Sequence, residues 1–294
     1  MGFTENRTAG ILWMLATMVC FITLDATMKY SLQSYSLVEV TWARFFFAML
    51  ASMIVCGRNI LNLLQPQSLK MQLIRSALLM TTTTLFGAGI STVPLSTGTV
   101  IMFMSPIMVT FLSSAILGEH VGWRRWSSIC VGFVGALIVI RIWETGLSGL
   151  NVGVLFLLGA ALANASYQIA TRSMRHEAPL TTLLYTALVG SVVMSTQLPF
   201  HWSTPDLQGW GVLVICGVAG CVGHLCLIKA FQAAPASVVA PFSYSALVWA
   251  TIFGFAIWRD VPTLTTMLGA ALIIGSGFYI FLRERQLATV VNET

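Results

Sequence analysis

Ten stretches of mostly apolar residues, each about 17–22 long, run along the chain, separated by short breaks. They cover about 8–29, 37–56, 73–92, 96–117, 126–142, 152–173, 181–200, 210–231, 237–258 and 264–282. The breaks are polar or rich in Pro and Gly: Gln65-Pro66-Gln67-Ser68, Val93-Pro94-Leu95, Gly146-Leu147-Ser148-Gly149 and Ser203-Thr204-Pro205-Asp206 are examples. A bilayer core of about 30 Å is crossed by about 20 helical residues. Hydrocarbon offers no water to unpaired backbone groups, so runs of this length must be helices. The pattern therefore predicts an all-α polytopic membrane protein with ten transmembrane helices.

Composition agrees. Of 294 residues, 57% are hydrophobic and 9% charged, with a mean hydropathy of +0.85. A soluble domain is about a quarter charged, so a soluble enzyme, a disordered chain and a nucleic-acid binder are excluded. Ten spans use roughly 200 residues at about 20 each, which leaves no room for a folded extramembrane domain. The first apolar run is longer than a signal-peptide core and no small-residue cleavage site follows it, so no cleaved leader is expected. The six cysteines lie in or beside apolar runs and read as small packing residues; no metal site is expected.

The net charge of +5 reports topology. With ten spans, the side holding both tails carries Arg7, Arg58, Lys70, Arg75, Arg124, Arg125, Arg172, Arg175, Lys229, Arg283 and Arg285, against Lys29, Arg44, Arg141 and Arg259 on or toward the other. The positive-inside rule then places both termini in the cytoplasm, and the sites matching Asn-X-Thr at Asn6 and Asn292 should stay unmodified. The short loops suggest a bacterial inner membrane.

The halves repeat. Gly10-Ile11-Leu12-Trp13 opens the first span and Gly153-Val154-Leu155-Phe156 the sixth. Val93-Pro94-Leu95-Ser96 matches Ala234-Pro235-Ala236-Ser237, and Glu119 matches Asp260. A five-span unit used twice has an odd number of crossings, so its second copy is inverted; residues 1–145 and 146–294 are the expected units. Inverted repeats of this kind characterise transporters whose site lies near the midplane between the copies.

The order of features in each unit is specific: a Pro/Ser turn, a helix with internal proline (Ser105-Pro106), Leu117-Gly118-Glu119, then Val131-Gly132-Phe133-Val134-Gly135. It resembles the EamA-type repeat of the drug/metabolite transporter superfamily, and Ala233-Ala234-Pro235-Ala236-Ser237 through Trp258-Arg259-Asp260 resembles the second copy. Arg259-Asp260 replaces a Gly-Glu pair common in that family. The resemblance implies a carrier that exports small metabolites, amino acids including aromatic ones, as in the aromatic amino-acid exporter group YddG. Export of nucleosides or amphipathic drugs is the alternative it leaves open.

Polar side chains in mid-span should face a cavity or another helix. Asn164, Tyr167, Gln168 and Thr171 share one face of the sixth span, the strongest substrate-binding pattern in the chain. His224 is the only histidine deep in a span, and the Thr81–Thr84 run, with Thr83, sits in the repeat-equivalent third span. Phe103 and Tyr244 are equivalent across the repeat, each three residues from a helix-bending proline, Pro106 or Pro241. Trp13 and Thr17, one turn apart in the first span, complete the candidate cavity. Asp25 and Lys29, spaced i, i+4, are expected to pair locally. Arg44 is expected to snorkel from its span toward the outer interface, with an anion-attracting role there as the alternative. Trp42, Trp123, Trp126, Trp202, Trp210 and Trp258 are expected at membrane interfaces.

No glycine precedes a lysine, so no phosphate-binding loop exists and ATP is not the driver. No carboxylate is read at mid-span, leaving His224 as the one titratable coupling group. The expected cavity thus holds rings, amides and hydroxyls without charge, for a small neutral or zwitterionic substrate. An intramembrane enzyme would need paired aspartates, a GxSxG turn or HExxH, and none is present. Cofactors and nucleic acid have no expected role; the bilayer and a small molecule are the partners, and a monomer is compatible with the sequence.

Overall fold

The computed structural model describes residues 6–117, 123–140, 151–174 and 176–293, all helices and connecting turns, with no strand among them. Helix α1 spans Arg7–Ser31 and α2 spans Leu37–Cys56. They are followed by α3 (Leu69–Ile90), α4 (Leu95–Met102), α5 (Ser105–Leu117) and α6 (Trp123–Ile140). The second half holds α7 (Val152–Ser173), α8 (Pro179–Gln197), α9 (Leu207–Ala233), α10 (Ser245–Phe253) and α11 (Leu264–Glu293). Seven described helical stretches are long and apolar enough to cross a membrane, and shorter apolar helices cover Leu95–Val109, Cys130–Ile140 and Leu264–Tyr279. Leu117-Gly118-Glu119 and Arg141 to Leu150 include positions outside the described residues.

The breaks between runs also start the helices. Asn6, Ser36, Ser68, Asn151 and Asp206 each accept a backbone N–H of the first turn through the side-chain oxygen, satisfying a donor that otherwise has no intrahelical partner. Two spans are interrupted. The fourth breaks after Met102 and restarts at Ser105, next to Pro106. The ninth runs as one helical turn (Ala236–Val239), a 3-10 turn over Ala240–Tyr244 that includes Pro241, α10, and a π-helical turn at Gly254–Trp258. Proline lacks the N–H that continues the ladder, so both interruptions fall where the sequence places one. Arg259 ends the π turn at φ 60, the left-handed region that glycine occupies without strain. Here the chain departs from the family's Gly-Glu, and the turn delivers Asp260 toward α1.

Packing follows small residues. α1 lies along α9, α3 along α7, and α2 along both α8 and α9. A Cβ at Gly217 would stand 2.5 Å from the Phe47 Cβ and 2.9 Å from the Ala48 backbone nitrogen, and one at Gly220 would stand 2.8 Å from Leu24. Without a hydrophobic force between helices in lipid, such close backbone approach is what gives them contact area. The large apolar residues left exposed, Ile54, Phe133, Val192 and Val248 among them, occupy the surface that lipid would cover.

Candidate functional site

Arg44, Phe45 and Ala48 of α2, Arg75 and Leu79 of α3, and Tyr167 of α7 line one side of a cavity. Leu183, Thr186 and Ala187 of α8, with Gly220, Cys221 and His224 of α9, close the other. The room inside is about 30 Å³ for the centres of water molecules, roughly two waters at ~10–15 Å³ each. The walls are drawn together, and a metabolite enters only if they part.

Two guanidinium groups dominate the polar part of this wall, which corrects the expectation of a chargeless cavity. Arg75, assigned to a cytoplasmic loop end by sequence, lies six residues inside α3 and is 5% exposed. Its Nε donates to Thr171 Oγ1 (2.8 Å), its Nη1 to Thr186 Oγ1 (2.7 Å) and the Thr182 carbonyl (3.1 Å), and its Nη2 to the Tyr167 hydroxyl (2.6 Å). The Tyr167 ring also lies 4.7 Å from Arg75 Cζ, a cation–π contact. Arg44 does not snorkel outward: it turns inward to donate to Thr83 Oγ1. The i, i+4 pair of Asp25 and Lys29 does not form. Lys29 Nζ instead donates to the Val93 carbonyl (2.6 Å), lies 3.8 Å from Asp260 Oδ2, and sits 5.1 Å from the Trp258 ring centre. Tertiary partners from other spans offer each charge more than its helical neighbour does.

The sixth-span face divides its work. Tyr167 and Thr171 hold Arg75, while the amides of Asn164 (3.1 Å) and Gln168 (2.9 Å) both donate to Ser105 Oγ at the restart of the broken fourth span. Thr83 is buried as the acceptor for Arg44 and donates to the Leu79 carbonyl (2.9 Å). His224 lies on the cavity wall, with Nδ1 2.9 Å from the Gly220 carbonyl and its ring edge-on to Phe21 at 4.9 Å. Phe103 and Tyr244 meet each other, ring centres 5.2 Å apart at 68°, instead of lining this cavity. Trp13 and Thr17 are not brought to it: Lys229 stacks over Trp13 at 4.5 Å, and the Thr17 hydroxyl bonds back to the Trp13 carbonyl. Among the described residues no cluster of His, Cys, Asp or Glu could hold a metal ion. Arg44, Arg75, Asp25 and Ser105 are the residues that sequence reasoning missed or misplaced.

One end of the bundle is closed by bonds between the halves. Besides the Lys29–Asp260 contact, Glu39 Oε2 accepts from the Ser203 hydroxyl (2.8 Å) and amide (3.2 Å), and Ser36 Oγ donates to the His201 carbonyl (3.0 Å). Trp42, Trp202 and Trp210 cluster beside them, and Trp42 Nε1 donates to Ser195.

Helices of membrane-spanning length around a small, largely apolar cavity that holds two guanidinium groups define a polytopic membrane protein. The chain belongs to the EamA-like transporter family, whose model matches residues 8–141 and again 151–282. It is 30% identical to an S-adenosylmethionine uptake transporter of Rickettsia bellii over 286 residues, 96% of each chain. A riboflavin transporter of Vibrio cholerae is 28% identical over 95% of each chain, and a pseudopaline exporter of Pseudomonas aeruginosa 25% identical over 90% of this chain and 93% of the exporter. A solved crystal structure at 16% identity superposes with a TM-score of 0.66 over 96% of this chain and 99% of its own, a likeness of fold. The relatives are named for S-adenosylmethionine, riboflavin and pseudopaline, so membership of the family stands and the narrower link to aromatic amino-acid exporters does not follow from them.

Proposed function

We propose that the protein is a secondary transporter of the cell's inner membrane that carries a small metabolite by alternating access around the Arg44–Arg75 cavity. On this reading the chain crosses ten times, as five-helix units 1–145 and 146–294 in inverted orientation, with both termini cytoplasmic. The observation that carries it is the composition of the cavity wall: α2 and α3 from one unit and α7, α8 and α9 from the other enclose two guanidinium groups, a phenol and an imidazole. Polar and ionisable groups are kept inside a membrane where they meet a substrate path. Tyr167 and His224 face the substrate, while Asn164, Gln168 and Thr83 hold the wall. Phe103, Tyr244 and the breaks at Pro106 and Pro241 let the units move.

The substrate class is amino acids, aromatic ones included, and larger metabolites built on an amino acid, S-adenosylmethionine being one by its chemistry. Transport follows the substrate's own gradient, which accommodates relatives named for uptake and for export. Counterflow in proteoliposomes tests this. Vesicles preloaded with unlabelled amino acids, S-adenosylmethionine, nucleosides or cationic drugs are given labelled phenylalanine or S-adenosylmethionine outside. Accelerated entry with amino acids or S-adenosylmethionine supports the reading; acceleration by nucleosides or drugs alone moves it to that class; none from folded protein overturns it.

A further inference from the structure

Arg75 is held by neutral acceptors only. A guanidinium carries five N–H groups; four of them donate to Thr171, Thr182, Thr186 and Tyr167, and one on Nη2 is left. None of the described carboxylates pairs with it. One turn nearer the α3 N-terminus, the amide of Gln72 is wholly buried and neither of its polar atoms has a partner among the described residues. Across the cavity, Arg44 bonds Thr83. Thr83 and Arg75 are eight residues apart, about 12 Å along α3 at ~1.5 Å per residue. Among the described residues no carboxylate lines the cavity, so the two guanidinium groups stand in a wall that also holds the apolar Phe45, Leu79 and Leu183.

We propose that the remaining Nη2–H of Arg75 is the anchor for a substrate carboxylate, with the apolar body of the metabolite lying toward Phe45, Leu79 and Leu183. The frame of hydroxyls fixes the plane of the guanidinium before the substrate arrives, so little freedom is lost on binding. One unfilled N–H on a fixed guanidinium suits a carboxylate oxygen, which makes a charge-assisted hydrogen bond there. This inference rests on the transporter reading of the same cavity and adds which end of the substrate is recognised, and by what.

Binding to the purified protein, read as thermal stabilisation in detergent, separates the two ideas because it needs no transport. The probes are phenylalanine, S-adenosylmethionine and benzoate, each beside a partner without the carboxylate: phenylalanine amide, decarboxylated S-adenosylmethionine and benzamide. At least one acid should stabilise the protein and its partner should bind roughly 10–100-fold more weakly, as for loss of a charge-assisted hydrogen bond. In Arg75→Met the difference within the pair should vanish; Arg75→Lys, which keeps the charge without the planar fork, should retain part of it. Thr196→Ala, exposed on α8 and away from the cavity, should keep the preference for the acid, and cooperative melting of each arginine variant without ligand shows that it is folded. No binding by any acid, or equal binding of acid and partner, overturns the anchor. Counterflow without acid selectivity overturns the anchor and leaves the transporter standing.

Discussion

Replacing Lys29 with methionine removes the one described ion pair that joins α1 to the end of the interrupted ninth span. Methionine keeps the length and apolar stem of the side chain and loses three interactions: the 2.6 Å bond to the Val93 carbonyl, the Asp260 contact at 3.8 Å and the charge beside Trp258. A hydrogen bond from a charged donor contributes about 1.5–3 kcal/mol. The ion pair adds little, because Asp260 is 31% exposed and such pairs contribute about 0–1 kcal/mol. A loss of about 2 kcal/mol from the form closed at this end follows, which raises the ratio of open to closed roughly 30-fold. Cys221 reports it: the thiol lines the cavity and is 1% exposed. The rate at which a small polar thiol reagent labels Cys221 should rise by about that factor in Lys29→Met, with Cys221→Ser giving the background from the other cysteines. Asp260→Asn should raise it only a few-fold. An unchanged rate in Lys29→Met would show that the contact does not hold this end shut.

Thr83→Val should cost about 1.5–3 kcal/mol in detergent melting, because it takes from the Arg44 guanidinium its hydroxyl acceptor. Gly217→Val should lower stability by at least about 1–3 kcal/mol through overpacking against Phe47 and Ala48, seen as loss of the monodisperse peak on gel filtration. Ser105→Ala should cost about 1–3 kcal/mol by leaving the Asn164 and Gln168 amides without their acceptor, and equal melting temperatures would show that water replaces it.

The helices were legible because span length is imposed by the bilayer and their starts by Ser, Asn and Asp at the breaks. The proline breaks were legible for the same local reason. The shared face of Asn164, Tyr167, Gln168 and Thr171 is a matter of helical phase, and each of the four bonds a side chain of another helix. What those residues touch depends on how helices from the two halves lie together, which no spacing along one helix encodes. Ser105 carries no signal by itself. Arg75 was hidden by a rule that treats arginines near span ends as topology markers. It lies close enough to the end of its helix to satisfy that count, and deep enough to be covered by α7 and α8. Lys29 shows the limit of pairwise rules for an exposed helix: inside a bundle, the Val93 carbonyl and Asp260 outcompete Asp25 one turn away.

The contact of Phe103 with Tyr244 carries a mechanical consequence. On the inverted-repeat reading proposed above, these residues occupy the same position in the two copies, and equivalent points touch only close to the axis that relates the copies. On that reading, a pair on the axis stays together whichever way one half rocks against the other, as the pin of a hinge does, while contacts far from it, such as Lys29 with Asp260, are made on one swing and broken on the opposite one. A change at the pin therefore weakens both swings alike and alters the rate of exchange between them. A change at the rim tilts the balance instead.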